Sequence, residues 1–119
     1  MKTTVRRLNF DMKTLEEIKT IIQSHKQELE REYKIKSIGI FGSYVHGRQS
    51  ENSDIDIVIE FDLTKFGENF KGLTDTYMAL AMYLQRLFDK KVDILTSGGV
   101  RSIRVKRVAE DIKRSLVYV

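Results

Sequence analysis

The amino-acid sequence predicts a single α/β domain, and three observations support this prediction. Apolar residues recur at helical spacing early in the chain, alternate with polar residues in its middle, and return to helical spacing near its end. No repeat, linker or low-complexity segment interrupts this order. At 119 residues the chain can bury one core but is too short for two domains. Residues 1–119 are therefore predicted to be one domain, with a motif core at about 36–95.

The first predicted element is a helix from about Thr14 to Tyr33. Thr14 and Glu17 have the spacing of a capping box, which is typical of a helix amino terminus. The positions that follow recur in steps of three and four, so they lie on one helical stripe. These positions are Leu15, Ile18, Ile22, His25 and Leu29.

Two strands are predicted next. The first covers residues 36–41 and stops at Gly42, with Ser43 at the position where a new helix would begin. The second covers residues 54–61 and is the clearest strand in the sequence, because its alternation is strict. One face carries Ile55, Ile57, Ile59 and Phe61, and the other carries Asp54, Asp56, Val58 and Glu60.

A second helix follows a loop around Gly67 and Gly72. Thr74 and Asp75 are its predicted N-caps, and its apolar residues continue to about Asp89. These apolar residues occupy more than one stripe, which leaves surface for a homo-oligomer or a partner, although a core helix of a small domain has the same pattern. They are Tyr77, Met78, Leu80, Met82, Tyr83, Leu84, Leu87 and Phe88.

The end of the chain is predicted to add a strand, a helix and a short terminal strand. Residues 91–95 form the first strand, which carries Asp93 among apolar neighbours. After Gly98 and Gly99, helical spacing returns at Val105, Val108, Ala109 and Ile112, and residues 116–119 suit a strand. Residues 100–119 hold six basic and two acidic residues, which equals the net charge of +4 for the whole chain. This basic segment suits nucleic acid, a nucleoside triphosphate or an acidic protein, and equally a solvated helix face.

Composition excludes several kinds of site. The chain has no cysteine and only His25 and His46, which excludes thiolate zinc sites, a cysteine nucleophile and an imidazole-rich metal site. Any bound metal must therefore be held by oxygen atoms. The longest apolar run, Tyr77 to Leu84, is far too short to span a bilayer, and the first ten residues lack the apolar region of a signal peptide. We therefore expect a cytoplasmic protein without a membrane partner.

Asp54 and Asp56 are the first candidate site residues. Residues two apart on a strand project from one face, about 6.5 Å from each other, so both carboxylates can point at one place. Two unpaired carboxylates repel, and a divalent cation such as Mg²⁺ relieves that repulsion, often with only one or two protein carboxylates. An Asp-x-Asp pair also occurs in glycosyltransferases, calcium loops and ordinary surface strands, so the surrounding sequence must distinguish these alternatives.

Gly42 and Ser43 supply that context. They lie at the predicted end of a strand and start of a helix, where free backbone N–H groups and the helix dipole favour an anion. Glycine allows a close approach of the backbone, and the serine hydroxyl can donate to a phosphate. A phosphate cradle beside a metal site is what phosphoryl-type transfer requires.

Asp93 is the third candidate acid. An unpaired acid buried among apolar residues would be costly, so a position beside Asp54 and Asp56 would explain it. If its strand neighbours residues 54–61, Asp93 either joins the metal ligands or accepts the proton of an attacking hydroxyl. A surface or capping acid is the alternative.

The segment Gly42-Ser43-Tyr44-Val45-His46-Gly47-Arg48, followed by Ser53-Asp54-Ile55-Asp56, resembles the signature of the DNA polymerase β nucleotidyltransferase superfamily. Within that superfamily it most resembles the minimal nucleotidyltransferases. The resemblance covers about Ile38 to Leu95 and implies a small polymerase-β-like fold, a mixed sheet flanked by helices. Many relatives have a small residue and an arginine where this chain has Val45 and His46. His46 either replaces that arginine as a donor or is an ordinary loop residue.

The resemblance implies specific roles. Gly42, Ser43 and Ser53 would bind the triphosphate of a nucleotide such as ATP, and Asp54, Asp56 and Asp93 would hold Mg²⁺ and act in catalysis. Such enzymes transfer a nucleoside monophosphate to a hydroxyl and release pyrophosphate. Minimal nucleotidyltransferases are commonly antitoxins paired with a HEPN-domain RNase toxin, and some add AMP to a tyrosine of that toxin.

Three alternatives follow from the same residues. The chain could act on a small hydroxylated molecule, as aminoglycoside-modifying relatives do, although it shows no extra acceptor-binding structure. It could block a partner sterically without catalysis. Direct binding of nucleic acid is not favoured, because the basic segment offers only Tyr118 for base stacking.

Overall fold

A computed structural model describes residues 13–101 and 106–119 of the chain. Its helices are α1 (Leu15–Tyr33), α2 (Leu73–Phe88), α3 (Ser97–Arg101) and α4 (Lys106–Ser115). Its strands are β1 (Ile35–Phe41), β2 (Ile55–Phe61), β3 (Val92–Thr96) and β4 (Val117–Tyr118). Single 3₁₀ turns lie at Gly42–Tyr44, Leu63–Lys65 and Glu68–Phe70.

The strands form one mixed sheet in the order β3-β2-β1-β4. Strand β1 is antiparallel to both β2 and β4, whereas β2 and β3 are parallel and are joined through α2. The predicted α/β class and the mixed sheet flanked by helices are confirmed. Because β2 and β3 are parallel, both begin at the same edge of the sheet.

The core lies between one face of the sheet and the helices α1 and α2. On β2, the side chains of Ile55, Ile57 and Ile59 are fully buried, as the strict alternation predicts. Each helix contributes one buried stripe at steps of four or seven residues. These stripes are Ile18, Ile22 and Leu29 on α1, and Leu80, Leu84 and Phe88 on α2. Burial of this apolar surface is the main source of stability of the domain.

The start of α1 follows the prediction. Thr14 is the N-cap, and its Oγ1 accepts a hydrogen bond from the backbone N–H of Glu17 at 3.2 Å. The same hydroxyl donates to Oε1 of Glu17 at 3.3 Å. The predicted pairing of Thr14 with Glu17 is therefore present.

Two later boundaries differ from the sequence prediction. Helix α2 begins at Leu73, and its N-cap is Gly72 at φ 87° rather than Thr74 or Asp75. Glycine adopts this backbone conformation without a steric cost. As a glycine, Gly72 makes no side-chain hydrogen bond to the start of the helix. Gly98 and Gly99 precede the last helix, as predicted, but they lie inside an additional short helix, α3, and the Gly99 N–H donates to Thr96 Oγ1 at 3.0 Å. Val105, one of the residues whose spacing predicted the last helix, lies outside the described residues.

The second face of the sheet is only partly covered. Val58 is buried there, opposite Gly39 on β1. Leu116, which follows α4, lies so close above Gly39 that an added Cβ would approach its Cδ1 to 2.7 Å. The segment from α4 to β4 thus covers the middle of this face, while Asp54 and Asp56 at the start of β2 stay partly accessible. Within the ranges described above, no helix is both long and apolar enough to cross a membrane.

Candidate active site

The three candidate acids meet at one edge of the sheet. Asp56 is the second residue of β2, and the parallel register pairs it with Asp93 on β3. Asp54 directly precedes β2 and, like Asp56, is half-buried. Asp93 is exposed, so the expectation of a buried acid that needs a partner is wrong. Its place beside Asp56 comes from strand pairing, as the sequence predicted conditionally.

The charges of these acids affect one another. Burial raises the pKa of Asp56 to about 6, with further contributions from the charges of Asp93 and then Asp54. Lys91 forms an ion pair with this cluster, and its Nζ lies 3.9 Å from Oδ2 of Asp54. That pair is weak, because the Lys91 side chain is 72% exposed and water screens the interaction. The site therefore carries negative charge that the described side chains do not neutralise.

Gly42 brings the turn that was predicted to bind phosphate against this charge. Its φ is +81°, and an added Cβ would overlap Oδ2 of Asp56. Only glycine allows the turn and the carboxylate to lie so close together. The N–H of Gly42 faces the Oγ of Ser115 at 3.5 Å, so the end of α4 also contacts this turn.

The helix predicted to begin at Ser43 is one 3₁₀ turn, Gly42–Tyr44. The backbone N–H groups of Val45 and His46 both donate to the Gly42 carbonyl, and the chain then leaves the turn. A single turn is too short for a helix dipole, so attraction of an anion by a helix end does not apply here. Anion binding at this turn would depend on local backbone N–H groups and on the Ser43 hydroxyl.

The two predicted serines differ in their surroundings. Ser43 lies in the turn, half-buried, and its carbonyl accepts from the N–H of Arg48 at 2.9 Å. The Oγ of Ser53 accepts from the N–H of Ser50 at 2.8 Å and so closes the loop that precedes Asp54. Ser53 thus shapes the loop between the turn and the acids, and its contact with a nucleotide remains a prediction. His46 is exposed.

Sequence reasoning missed three residues at this edge. Lys91 and Ser115 contact Asp54 and Gly42, as described above. Tyr44 is 1% exposed, and its hydroxyl has no hydrogen-bond partner among residues 13–101 and 106–119. Its pKa is raised by burial and by the charge of Asp54. Lys91 had a sequence signal, since it lies two residues before Asp93, but the burial of Tyr44 depends on how the turn packs.

The donor set fits a hard divalent cation. Asp54, Asp56 and Asp93 offer only carboxylate oxygens, which Mg²⁺ prefers, and their mutual repulsion would be relieved by the ion. As the side chains stand, residues 13–101 and 106–119 contain no group of three acidic or histidine side chains gathered closely enough to hold a metal. Binding would therefore require side-chain rotation, which Asp54 and the exposed Asp93 have room to make.

Comparison with known proteins agrees with this geometry. The profile of the family described as "Nucleotidyltransferase domain" matches residues 22–119. The chain belongs to this family. It is 44% identical over 108 residues to a protein of Methanocaldococcus jannaschii provisionally named protein adenylyltransferase MJ1379, covering 91% of this chain and 100% of that one. It is 37% identical to the protein adenylyltransferase MntA of Thermococcus cleftensis, covering 91% of this chain and 98% of the relative.

Solved structures have the same fold. A provisionally identified minimal nucleotidyltransferase superposes with a TM-score of 0.63 at 22% identity, covering 88% of this chain and 95% of that one. A toxin–antitoxin crystal structure with AMP-PNP superposes with a TM-score of 0.54 at 26% identity, covering 80% of this chain and 69% of that chain. The resemblance to minimal nucleotidyltransferases is therefore confirmed, and the protein is a nucleotidyltransferase.

Proposed function

We propose that this nucleotidyltransferase is an Mg²⁺-dependent antitoxin that transfers AMP from ATP to a tyrosine hydroxyl of a HEPN RNase toxin. One observation supports the part of the proposal that concerns the nucleotide donor. Asp56, with its raised pKa, lies between Asp54 and Asp93 and directly against the Gly42 turn. This arrangement supports a cation site next to a phosphate site, where the cation would neutralise the phosphate charge.

The reaction exchanges one phosphorus–oxygen bond for another. The hydroxyl oxygen of the acceptor attacks the α-phosphorus of ATP, and a phosphodiester bond to AMP forms. The bond from the α-phosphorus to the bridging oxygen breaks, and its electron pair leaves with pyrophosphate. The hydroxyl proton passes to a base, for which Asp93 is suited because it is exposed beside the acids.

Each residue has a role in this scheme. Asp54 and Asp56 would hold Mg²⁺, which supplies charge stabilisation to the transferring phosphoryl group, and Asp93 would either complete the ligand set or accept the hydroxyl proton. Gly42 admits the triphosphate close to the carboxylates, and Ser43 donates to a phosphate oxygen. Ser53 would act through the loop that it closes, or by a direct hydrogen bond to the nucleotide.

The acceptor side is supported by the comparisons. The relatives named above carry the name protein adenylyltransferase, which gives a protein as the acceptor. The solved toxin–antitoxin structure contains AMP-PNP, an ATP analogue. Together with the small size of the domain, these findings favour a partner protein over an aminoglycoside-like acceptor.

The test uses the purified protein, a HEPN RNase toxin from the same genome, labelled ATP and Mg²⁺. We expect label on the toxin, loss of labelling with EDTA, and loss of labelling for Asp56→Asn. The matched control is Glu60→Gln, a change on the same face of β2 but at its far end, which should label the toxin normally. No transfer by the wild type, or transfer that survives Asp56→Asn, would refute the proposal.

A non-catalytic antitoxin is the second candidate, and the surface of α2 favours it. Met78 and Met82 lie one turn apart and are 57% and 56% exposed, so the predicted apolar surface of this helix is present. If binding alone neutralises the toxin, an Asp54→Ala, Asp56→Ala double variant will restore growth of toxin-producing cells as well as the wild type does. Neutralisation that needs the acids would favour the enzyme.

A further inference from the structure

In the described part of the chain, nearly all buried polar side-chain atoms have a hydrogen-bond partner. Among the described residues, only the Tyr44 hydroxyl and Oε1 of Gln49 are buried side-chain atoms without a partner. Both lie in the connection between β1 and β2, the segment that links the Gly42 turn to Asp54. Buried polar atoms in folded proteins are nearly always paired, so two exceptions in one segment of the site need a physical explanation.

Gln49 has an explanation in the described residues, because its Nε2 donates to the Lys13 carbonyl at 3.2 Å and this bond orients the amide. Tyr44 has no such bond. Its side chain belongs to the hydrophobic core cluster, where phenylalanine would fill nearly the same volume without burying a hydroxyl. The hydroxyl therefore contributes nothing favourable to the fold described here.

Asp54 is the acid whose charge reaches this hydroxyl. Burial and, to a smaller extent, the charge of the Asp54 carboxylate raise the pKa of Tyr44. Within the described part of the chain, Asp54 itself is held only by the weak, exposed contact with Lys91 at 3.9 Å. An unpaired donor and a weakly held carboxylate thus lie at the same edge of the sheet.

We propose that Tyr44 is a positioning residue: its hydroxyl donates a hydrogen bond to Asp54 when Asp54 turns from Lys91 to hold the divalent cation. The inference rests on the proposed function, because it takes Asp54 as a metal ligand. A hydrogen bond from a neutral donor to a ligating carboxylate fixes the orientation of that ligand, and loss of such a bond commonly weakens metal binding. Tyr44 touches neither the phosphates nor the acceptor in this scheme.

The test measures metal binding and not only transfer. Mn²⁺ is titrated in the presence of the ATP analogue AMP-PNP, and free Mn²⁺ is followed by EPR. We expect Tyr44→Phe to bind Mn²⁺ about tenfold more weakly than the wild type. The matched control is Tyr83→Phe, which removes a hydroxyl that donates to Glu28 Oε2 at 3.0 Å on α1, and it should bind Mn²⁺ as the wild type does.

A double-variant cycle assigns the effect to Asp54. Asp54→Asn will itself weaken Mn²⁺ binding, and adding Tyr44→Phe should then cause no further loss. If Tyr44→Phe binds Mn²⁺ like the wild type, or if its loss is as large in the Asp54→Asn background, the inference is wrong. If the wild type binds no Mn²⁺ and Asp56→Asn changes nothing, the proposed metal site itself fails, which is a different result.

Thermal unfolding without metal gives an independent readout. Because the hydroxyl has no partner in the metal-free protein, Tyr44→Phe should unfold at the wild-type temperature or above it. Tyr83→Phe should unfold at a lower temperature, since it loses an existing hydrogen bond. A clearly lower temperature for Tyr44→Phe would show that the hydroxyl already has a partner and would overturn the inference.

Discussion

The two faces of β2 differ in what holds their side chains. On one face, the isoleucines at 55, 57 and 59 are fully buried against α1 and α2. On the other face, Asp56 is half-buried beside two further acids, and its pKa is raised to about 6. One strand of seven residues therefore carries both the centre of the core and an acid whose charged form is disfavoured. The buried face of β2 therefore stabilises an arrangement of charges on the other face that would not persist alone.

The largest effect is expected from a change on the acidic face. Asp56→Asn should lower AMP transfer about 10³-fold, because the variant would lose a ligand of the ion that stabilises the charge of the transferring phosphoryl group. The rate of labelling of the toxin, measured at saturating Mg²⁺ and ATP, checks this value. A variant that keeps more than a tenth of the wild-type rate would show that Asp56 is not a metal ligand.

The neighbouring residue on the apolar face should behave in the opposite way. Ile57→Ala should lower the free energy of unfolding by about 2–5 kcal/mol, because it leaves a cavity at a side chain with no exposure. Urea unfolding followed by circular dichroism measures the loss. Ile57→Val is the control, with an expected loss of about 0.5–1.5 kcal/mol. Equal stabilities for the alanine variant and the wild type would contradict the core assigned here.

Alanine substitutions at two glycines can distinguish the effect of backbone strain from the effect of contact with the site. Gly42 and Gly72 have φ of +81° and +87°, so alanine at either position should cost about 1–2 kcal/mol of stability. An added Cβ meets nothing within 4 Å at Gly72, but overlaps the Asp56 carboxylate at Gly42. Gly42→Ala should therefore also lose most transfer activity, whereas Gly72→Ala should keep it. Similar transfer rates for the two variants would mean that the close approach at Gly42 has no role.

The smallest expected effect is on the pH dependence of the free energy of unfolding, measured without metal. The pKa of Asp56 is raised in the folded protein, so its contribution to stability is fully present below about pH 4 and is lost as pH rises through about 6. Asp56→Asn should thus match the wild type near pH 4 and exceed it at pH 7. The expected gain is about 1 kcal/mol, reduced by solvent screening because Asp56 is only half-buried.

Urea unfolding in EDTA at several pH values between 4 and 7.5 measures this difference. Excess Mg²⁺ and ATP should reverse the sign at pH 7.5, because only the wild type then gains from the bound ion. If the free energy of unfolding changes with pH in the same way for the two proteins across this range, the pKa of Asp56 is not raised in the folded protein.

Much of this architecture could be predicted from the sequence because it depends on local patterns. The alternation in β2 predicted which face is buried, and the spacing of Ile18, Ile22 and Leu29 predicted the buried stripe of α1. The start of α2 could not be predicted, because Thr74 and Asp75 are the better side-chain caps and only the backbone shows that Gly72 takes that role.

The site was predictable in its residue types and less so in its environment. The sequence predicted that Asp93 would join Asp54 and Asp56 if their strands were neighbours, and the parallel register confirms that condition. It did not predict that Asp93 is exposed, because the apolar residues beside it in sequence point elsewhere. The unpaired hydroxyl of Tyr44 depends on tertiary packing, and no local pattern indicates it.

The pairing of β2 with β3 also sets an order on folding. Asp56 and Asp93 become neighbours only when β3, which follows α2 in the chain, pairs with β2. Parallel pairing between strands that are far apart in sequence is expected to form late in folding. Asp93 approaches Asp56 in the same step, and their repulsion opposes it. We therefore expect this edge to be the first to open in native-state hydrogen exchange, and nucleotide with Mg²⁺ to slow exchange most at residues 92–96.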